Sequence, residues 1–161
     1  MTHFSYTAAS EKETARLGAE LAAVLPPGSV VVLNGPLGAG KTRLVQAVAE
    51  AAGFDRRNVT SPTFTLIHEY AALVPIFHFD VYRVRDDDEF RELGPDEYFS
   101  GPGWSFVEWG EKVADSLPTE RLDIRIDAPS PTARRFEFIP YGAVMEQTVA
   151  ALASRLAAQP D

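Results

Sequence analysis

Residues 35–42 read Gly-Pro-Leu-Gly-Ala-Gly-Lys-Thr and constrain the possible folds more than any other segment. They match a Gly-x-x-x-x-Gly-Lys-Thr phosphate loop, in which glycines let the backbone wrap an anion and consecutive N–H groups point at phosphate oxygens. We therefore predict nucleotide contacts from all eight residues, Gly35, Pro36, Leu37, Gly38, Ala39, Gly40, Lys41 and Thr42. Within the loop, Lys41 is predicted to reach the β- and γ-phosphates, and the Thr42 hydroxyl to bind Mg²⁺.

The residues on either side of the loop support this interpretation. Residues 30–33 form a short β-branched apolar run, typical of a buried parallel strand. After the loop, apolar residues recur at helical spacing, and Gly53 is a predicted C-terminal cap. Strand, glycine-rich loop and helix form the context in which this motif binds nucleotide rather than making an ordinary turn.

Length and charge narrow the class of protein. At 161 residues the chain can bury a substantial core, and we predict a single domain over residues 1–161. With 15 Lys+Arg against 23 Asp+Glu the net charge is −8. This charge argues against direct binding of a nucleic-acid backbone by this chain alone. We find no run of 18 apolar residues, no signal-peptide pattern and no cysteine, so we expect a cytoplasmic protein without membrane association.

The remaining patterns predict an α/β fold with a mixed sheet. Ser10 and Glu13 form a capping box that opens a helix reaching about Leu25. Residues 63–70 and 76–82 are predicted to pair as a hairpin. Further strands are predicted at 104–108, 122–127 and 133–140, with helices at 85–93 and 145–156. Because hairpins accompany the phosphate-loop strand, we expect a three-layer P-loop NTPase-like domain whose sheet mixes parallel and antiparallel pairs.

Two carboxylates follow runs of strand residues, the position at which P-loop proteins carry a metal-orienting acid. Asp80 directly follows the run of residues 76–79 in one predicted strand, and Glu108 ends another predicted strand. In P-loop proteins such an acid orients the metal, and a further group positions the attacking water. We therefore predict that Asp80, Glu108 and Lys41 are catalytic and that Thr42, Glu108 and Asp80 surround Mg²⁺. Which acid contacts the metal directly is left open.

The sequence is compatible with two alternative roles for several other residues. Ser61 and Thr63 fit a switch segment in which Thr63 or Thr65 turns a hydroxyl toward the metal or the γ-phosphate, but they also fit a Ser/Thr turn before a strand. His78, between two phenylalanines, is more typical of a hydrogen-bonded interior residue than of a base. Trp109 stacks on a base or partner, or closes the core.

Four motifs occur in an order that resembles the TsaE (YjeE) family of small bacterial P-loop ATPases. They are Gly-Pro-Leu-Gly-Ala-Gly-Lys-Thr, Ser-Pro-Thr-Phe-Thr-Leu, His-Phe-Asp-Val-Tyr-Arg and Phe-Val-Glu-Trp. The resemblance spans roughly residues 10–110. It implies ATP and Mg²⁺ as cofactors and work beside the TsaD and TsaB proteins, which transfer a threonylcarbamoyl group to the adenosine 3′ of the anticodon in tRNA. The ATPase is then expected to reset the complex, to turn over weakly alone and to meet tRNA only through its partners.

The same resemblance implies roles for individual residues. It matches Lys41, Thr42, Asp80 and Glu108 to the catalytic and metal-side positions, and Thr63 to the switch-like segment. It adds a set of nucleotide contacts outside the loop, namely Glu11, Thr14, Trp109 and an arginine at 134–135, assigned to Arg135. Gly110 departs from the family pattern, which often has proline there, and is expected to loosen the loop after Trp109.

A small-molecule or nucleotide kinase is the main alternative. Kinases usually close an arginine-rich lid over the transferred group, and residues 100–127 carry only Arg121 and Arg125, on a strand-like stretch. A GTPase is disfavoured because no Asn-Lys-x-Asp segment occurs. A non-catalytic nucleotide-binding module stays open.

Overall fold

A mixed β-sheet runs through the computed structural model, which describes residues 3–63 and 65–158. Its strands are β1 Phe4–Ala8, β2 Val30–Asn34, β3 Ile67–Tyr70, β4 Ile76–Asp80, β5 Trp104–Glu108, β6 Arg121–Asp127 and β7 Arg134–Tyr141. The helices are α1 Glu11–Val24, α2 Lys41–Ala51, α3 Asp87–Arg91, α4 Pro95–Phe99 and α5 Ala143–Ala157, with short 3₁₀ segments at Arg56–Asn58 and Gly110–Ser116.

The strand order within the described residues is β1-β7-β6-β2-β5-β4-β3. Strand β2 lies near the middle and pairs in parallel with β5 on one side and with β6 on the other, while β4 pairs in parallel with β5. The β1–β7, β6–β7 and β3–β4 pairs are antiparallel. The predicted mixed sheet and the hairpin are therefore confirmed.

Side chains that alternate along β2 enter two different cores. Val31 and Leu33 pack in a core with α1, α2 and α5, whereas Val32 faces a second core containing Phe79 and Phe90. Since successive residues of a strand point to opposite faces, helices cover both sides of the sheet. This arrangement confirms the predicted three-layer α/β architecture.

Helix α1 begins as the capping box predicts. Ser10 is extended at φ −153°, and its hydroxyl accepts a hydrogen bond from the Glu13 backbone N–H at 3.3 Å. Leu17 and Leu21, on one face of α1, are fully buried. The helix ends at Val24, before the Pro-Pro-Gly turn that leads into β2.

Three features differ from the predicted elements. Strand β1 is an addition; its inward residues Phe4, Tyr6 and Ala8 alternate, but the strand has a partner only because β7 lies beside it. The predicted strand start at residue 63 is wrong, since β3 begins at Ile67. The segment before it turns, with the Leu66 N–H donating to the Pro62 carbonyl.

Helix α4 is the third difference. The sequence predicts a helix over residues 85–93 and none directly after it. Gly94 does adopt a left-handed conformation after α3, at φ +70°, and Pro95 then occupies the first turn of α4. Proline is favoured there because its missing N–H is not needed by the helix, so one dipeptide serves both helix ends.

Candidate nucleotide site

The predicted catalytic residues meet at one edge of the sheet. The phosphate loop follows β2, Asp80 is the last residue of β4 and Glu108 is the last residue of β5. Asp80 and Glu108 are direct partners in the parallel β4–β5 register. Ligands of α/β sheets bind at the carboxyl ends of the strands, where this group of residues lies.

Two glycines of the loop are required by their surroundings. Gly40 has φ +110° at the start of α2, a conformation that side chains rarely tolerate. A Cβ on Gly35 would lie 2.4 Å from the Ile126 carbonyl oxygen, because β6 passes close to the loop. The glycine pattern therefore reflects the backbone shape of the loop and its close approach to β6.

Lys41 is almost fully buried and is held by the loop itself. Its Nζ donates to the carbonyl oxygens of Gly35 and Pro36, at 2.5 and 3.0 Å, and lies 3.8 Å from the centre of the Trp109 ring. Burial lowers the pKa of Lys41, and the nearby carboxylates, Glu108 first, oppose this shift. The ammonium group is thus a cation in a partly desolvated position beside the loop.

Glu108 joins the loop to the neighbouring strand. Its Oε2 accepts a hydrogen bond from the Thr42 hydroxyl at 2.8 Å and another from His78 Nε2. The carboxylate is only 3% exposed and is nonetheless hydrogen-bonded, as a buried charge must be. His78 is fully buried, which fits its reading as a hydrogen-bonded interior residue.

Asp80 binds the predicted switch segment. Its Oδ2 accepts hydrogen bonds from Thr63 at 2.9 Å and from Ser61 at 3.3 Å, and its Oδ1 accepts from the Tyr82 N–H at 2.9 Å. Thr65 turns away and shares a hydrogen bond with His68 instead. Ser61 and Thr63 therefore reach an acid of the site, while Phe64 lies outside the described residues.

A cavity of about 970 Å³ covers this edge of the sheet. Its walls include twelve of the predicted residues, namely Glu11, Thr14, Leu37, Gly38, Gly40, Lys41, Thr42, Ser61, Thr63, Asp80, Glu108 and Trp109. Gly35, Pro36, Ala39 and Arg135 are not among the residues that line it. The first two contact Lys41 through their carbonyl oxygens, and Ala39 is buried within the loop.

The cavity receives Arg134 rather than Arg135. Arg134 lines the wall next to Gly40, whereas Arg135 is exposed and pairs with Thr7 of β1. Adjacent strand residues face opposite sides, so only one of the two can reach the site. The sequence shows both arginines but not the register that selects between them.

Several other lining residues were not predicted from the sequence: Ala9, Ser10, Arg43, Tyr82, Pro131, Thr132 and Phe136. Arg43 is distinctive because its Nη1 is buried without a hydrogen-bond partner among the described residues. Its place directly after Thr42, on the first turn of α2, was the signal that could have found it.

Trp109 and Gly110 form a closely packed turn directly after β5. Trp109 adopts a left-handed conformation at φ +65°, and its ring lies 5.0 Å from that of Tyr82. Gly110 is buried, and a Cβ there would lie 2.4 Å from Val32 Cγ1. The expected loosening at Gly110 is thus wrong, since glycine packs closely and begins a 3₁₀ segment.

The sequence matches the family model described as "Threonylcarbamoyl adenosine biosynthesis protein TsaE" over residues 8–136. This chain belongs to the TsaE family. The match covers the loop, both acids and the wall that includes Arg134, so it extends beyond the four motifs toward the end of the chain.

Named relatives agree with this assignment. The tRNA threonylcarbamoyladenosine biosynthesis protein TsaE of Bacillus subtilis is 41% identical over 143 residues, covering 88% of this chain and 89% of that protein. The protein of the same name from Treponema pallidum is 41% identical over 117 residues, covering 73% of this chain and 86% of its own length.

A solved structure extends the likeness to the last elements. The crystal structure of Bacillus subtilis YdiB superposes with a TM-score of 0.80 at 34% identity, covering 96% of both chains. Strands β6 and β7 and helix α5, whose residues carried no motif in the sequence, thus belong to the fold that the two chains share. Among the described residues of this TsaE-family chain, we find no helix that combines the length and apolar character of a membrane span.

Proposed function

We propose that this TsaE-family protein is a Mg²⁺-dependent ATPase that supports threonylcarbamoyl modification of tRNA together with TsaD and TsaB. The observation that carries the proposal is the Thr42–Glu108 hydrogen bond, 2.8 Å long, between the phosphate loop and the end of the adjacent strand. A loop hydroxyl beside a strand-end carboxylate is the pair that holds the metal in P-loop NTPases.

The oxygen groups suit Mg²⁺. Thr42, Glu108 and Asp80 offer hard oxygen donors at one edge of the sheet. Among the described residues we find no group of three or more His, Cys, Asp or Glu that could hold a metal ion. Mg²⁺ is typically bound by one or two carboxylates together with substrate phosphates and water, so a nucleotide would complete this shell.

The cavity wall also suits a polyphosphate. Arg43 Nη1 is a buried donor without a partner among residues 3–63 and 65–158, and such groups are costly unless something binds them. Lys41 adds a second cation, and the N-terminus of α2 contributes its dipole. These donors converge on the same cavity, which supports an anionic ligand there.

We assign different roles to the two acids. Glu108 contacts Thr42 and is the better candidate for the metal side, where Mg²⁺ would neutralise charge on the phosphate oxygens. Asp80 contacts the switch hydroxyls of Ser61 and Thr63 and is the better candidate to orient the attacking water. Lys41 would stabilise charge on the transferred phosphoryl group.

A supporting role fits the charge of the chain. At a net charge of −8 this protein is a poor match for a tRNA backbone by itself, so the RNA chemistry is assigned to its partners. ATP hydrolysis would then reset the TsaD–TsaB complex between cycles. We expect this work to take place in the cytoplasm.

The test compares ATP hydrolysis by the protein alone with hydrolysis in the presence of TsaD and TsaB. We expect weak turnover alone and a clear increase in the complex. An unchanged rate in the complex, or a phosphorylated small-molecule product, contradicts the proposal. Lys41→Ala should abolish turnover, whereas Lys12→Ala, at an exposed position on α1, should leave it unchanged.

A further inference from the structure

A line of hydrogen bonds leads away from the site through the interior of the sheet. It starts at Glu108, passes through His78 and Tyr70, and ends at the backbone carbonyl of Thr60. The Tyr70 hydroxyl is 2.9 Å from His78 Nδ1 and 3.3 Å from the Thr60 oxygen. The proposed hydrolysis uses Glu108 but assigns no role to the two residues behind it.

The sheet dictates this alignment. His78 stands two residues before Asp80 on β4, so both side chains project from the same face of that strand. Parallel pairing with β5 puts Asp80 opposite Glu108 and His78 opposite Phe106, two pairs further back. Tyr70, at the end of β3, pairs with Ile76 and reaches His78 from the other side.

The three side chains of the line, those of Glu108, His78 and Tyr70, are buried, so each of their polar atoms needs a partner. His78 is 0% exposed and Tyr70 is 4% exposed. A carboxylate can only accept, so His78 Nε2 donates to Glu108. The Tyr70 hydroxyl carries one proton, which it donates to the Thr60 carbonyl when Nδ1 of His78 carries a proton and to Nδ1 when it does not. Burial raises the pKa of Tyr70 to about 12, which keeps that proton in place.

The far end of the line meets the switch-like segment. Thr60, whose carbonyl oxygen lies 3.3 Å from the Tyr70 hydroxyl, directly precedes Ser61, and Ser61 and Thr63 donate to Asp80. Residues 60–63 therefore contact one acid directly and the other through two buried side chains. A displacement of this short segment would act on both carboxylates together.

We propose that His78 and Tyr70 are positioning residues that aim the Glu108 carboxylate at Thr42 and couple its orientation to residues 60–63. This inference rests on the proposed Mg²⁺–nucleotide site and deepens it. Partners that orient metal ligands in this way typically change metal affinity or activity about 10- to 100-fold when they are removed. Neither residue needs to touch the nucleotide.

Tyr70→Phe is the decisive variant because it removes one hydroxyl and keeps the ring that packs on Phe54 and His78. Binding of a fluorescent ADP analogue is measured in EDTA and across a Mg²⁺ titration. We expect affinity in EDTA to stay at the wild-type level, while the Mg²⁺ concentration for half-maximal effect rises about 10-fold. In the TsaD–TsaB complex, kcat should fall by a similar factor with KM for ATP little changed.

Tyr98→Phe is the matched control. Tyr98 packs against Phe77 and Phe79 on β4, and its hydroxyl makes no hydrogen bond among the described residues. It therefore loses the same atom near the same strand without touching the line. Wild-type Mg²⁺ dependence is expected, and a defect equal to that of Tyr70→Phe would overturn the inference.

His78→Gln and His78→Leu give a second, independent comparison. A glutamine amide can still donate to Glu108, whereas leucine leaves the carboxylate without that partner. We expect His78→Gln to retain most of the Mg²⁺-dependent binding that His78→Leu loses. If wild type binds no Mg²⁺–nucleotide, the proposed function fails; if it binds and Tyr70→Phe behaves identically, only the positioning role fails.

Discussion

Glu108 is the residue on which the site depends most. It is buried, it accepts hydrogen bonds from both Thr42 and His78, and its charge is the largest opposing influence on the lowered pKa of Lys41. Loop, strand β4 and strand β5 are thus joined at one carboxylate. Removing its charge should disturb the chemistry more than the fold, because a neutral amide of the same shape can occupy the position.

We therefore expect Glu108→Gln to reduce ATP hydrolysis in the TsaD–TsaB complex about 100-fold and to weaken its dependence on Mg²⁺. Thermal unfolding should show a folded protein of near wild-type stability. Glu111→Gln is the control, since Glu111 is an exposed acid that also acts on the pKa of Lys41. Equal losses in the two variants would remove Glu108 from the metal side.

The raised pKa of Tyr70 makes the stability of the fold depend on pH in the alkaline range. Burial raises its pKa to about 12 from the ordinary 10.0, so between these values the folded state holds a proton that the unfolded state has lost. The stability this provides is fully present below pH 10 and is lost as the pH rises to about 12. Burial also raises the pKa of Tyr6, so the Tyr6→Phe variant is used as the background for an absorbance titration of the tyrosines. In this background a late phenolate step should appear, and it should vanish when Tyr70→Phe is added. A late step that survives in the double variant contradicts the assignment.

At the scale of elements, the close packing of α1 on α2 supports the phosphate loop from behind. A Cβ on Gly18 would lie 2.3 Å from Ala47 Cβ and 2.7 Å from the Ala47 backbone. Gly18 therefore lets α1 approach the helix that carries Lys41 and Thr42. Helix propensity alone would favour alanine at this position. The close packing against Ala47 favours glycine instead, because a Cβ would clash there.

Gly18→Ala should accordingly lower the free energy of unfolding by about 1–3 kcal/mol, as overpacking usually does. Urea denaturation measures this. Gly101→Ala is the control, because the nearest atom to a Cβ there would be 3.7 Å away, an ordinary contact. A stabilised Gly18→Ala variant would show that the two helices can separate without cost.

How much the sequence predicts depends on whether a feature is local. The phosphate loop and the strand ends at Asp80 and Glu108 are local patterns, and they lie where they were predicted. The choice of Arg134 over Arg135 depends on the β7 register, which is set by distant strands. The turn before β3 arises because Ser61 and Thr63 bond to Asp80, a contact between segments that no single-segment pattern contains.

For the whole molecule, nucleotide binding should appear as stability. A ligand present at 100 times its Kd adds about 2.7 kcal/mol, and a chain of this size gains about 2–4 °C per kcal/mol. We expect Mg²⁺–ADP at that concentration to raise the Tm by roughly 5–10 °C. Differential scanning calorimetry should show no such shift for Lys41→Ala, while a retained shift would mean that the ligand binds elsewhere.

Strand β1 pairs with β7, although more than a hundred residues separate them in the sequence. During synthesis β1 leaves the ribosome early. It has no strand to pair with until β7 has also emerged. The cavity is also completed late in synthesis, since its walls combine early and late parts of the sequence. Glu11 and Thr14 are synthesised early, and Arg134 and Phe136 are synthesised late. Such long-range pairing slows folding. A nascent chain therefore acquires its complete nucleotide cavity only among the last steps of its folding.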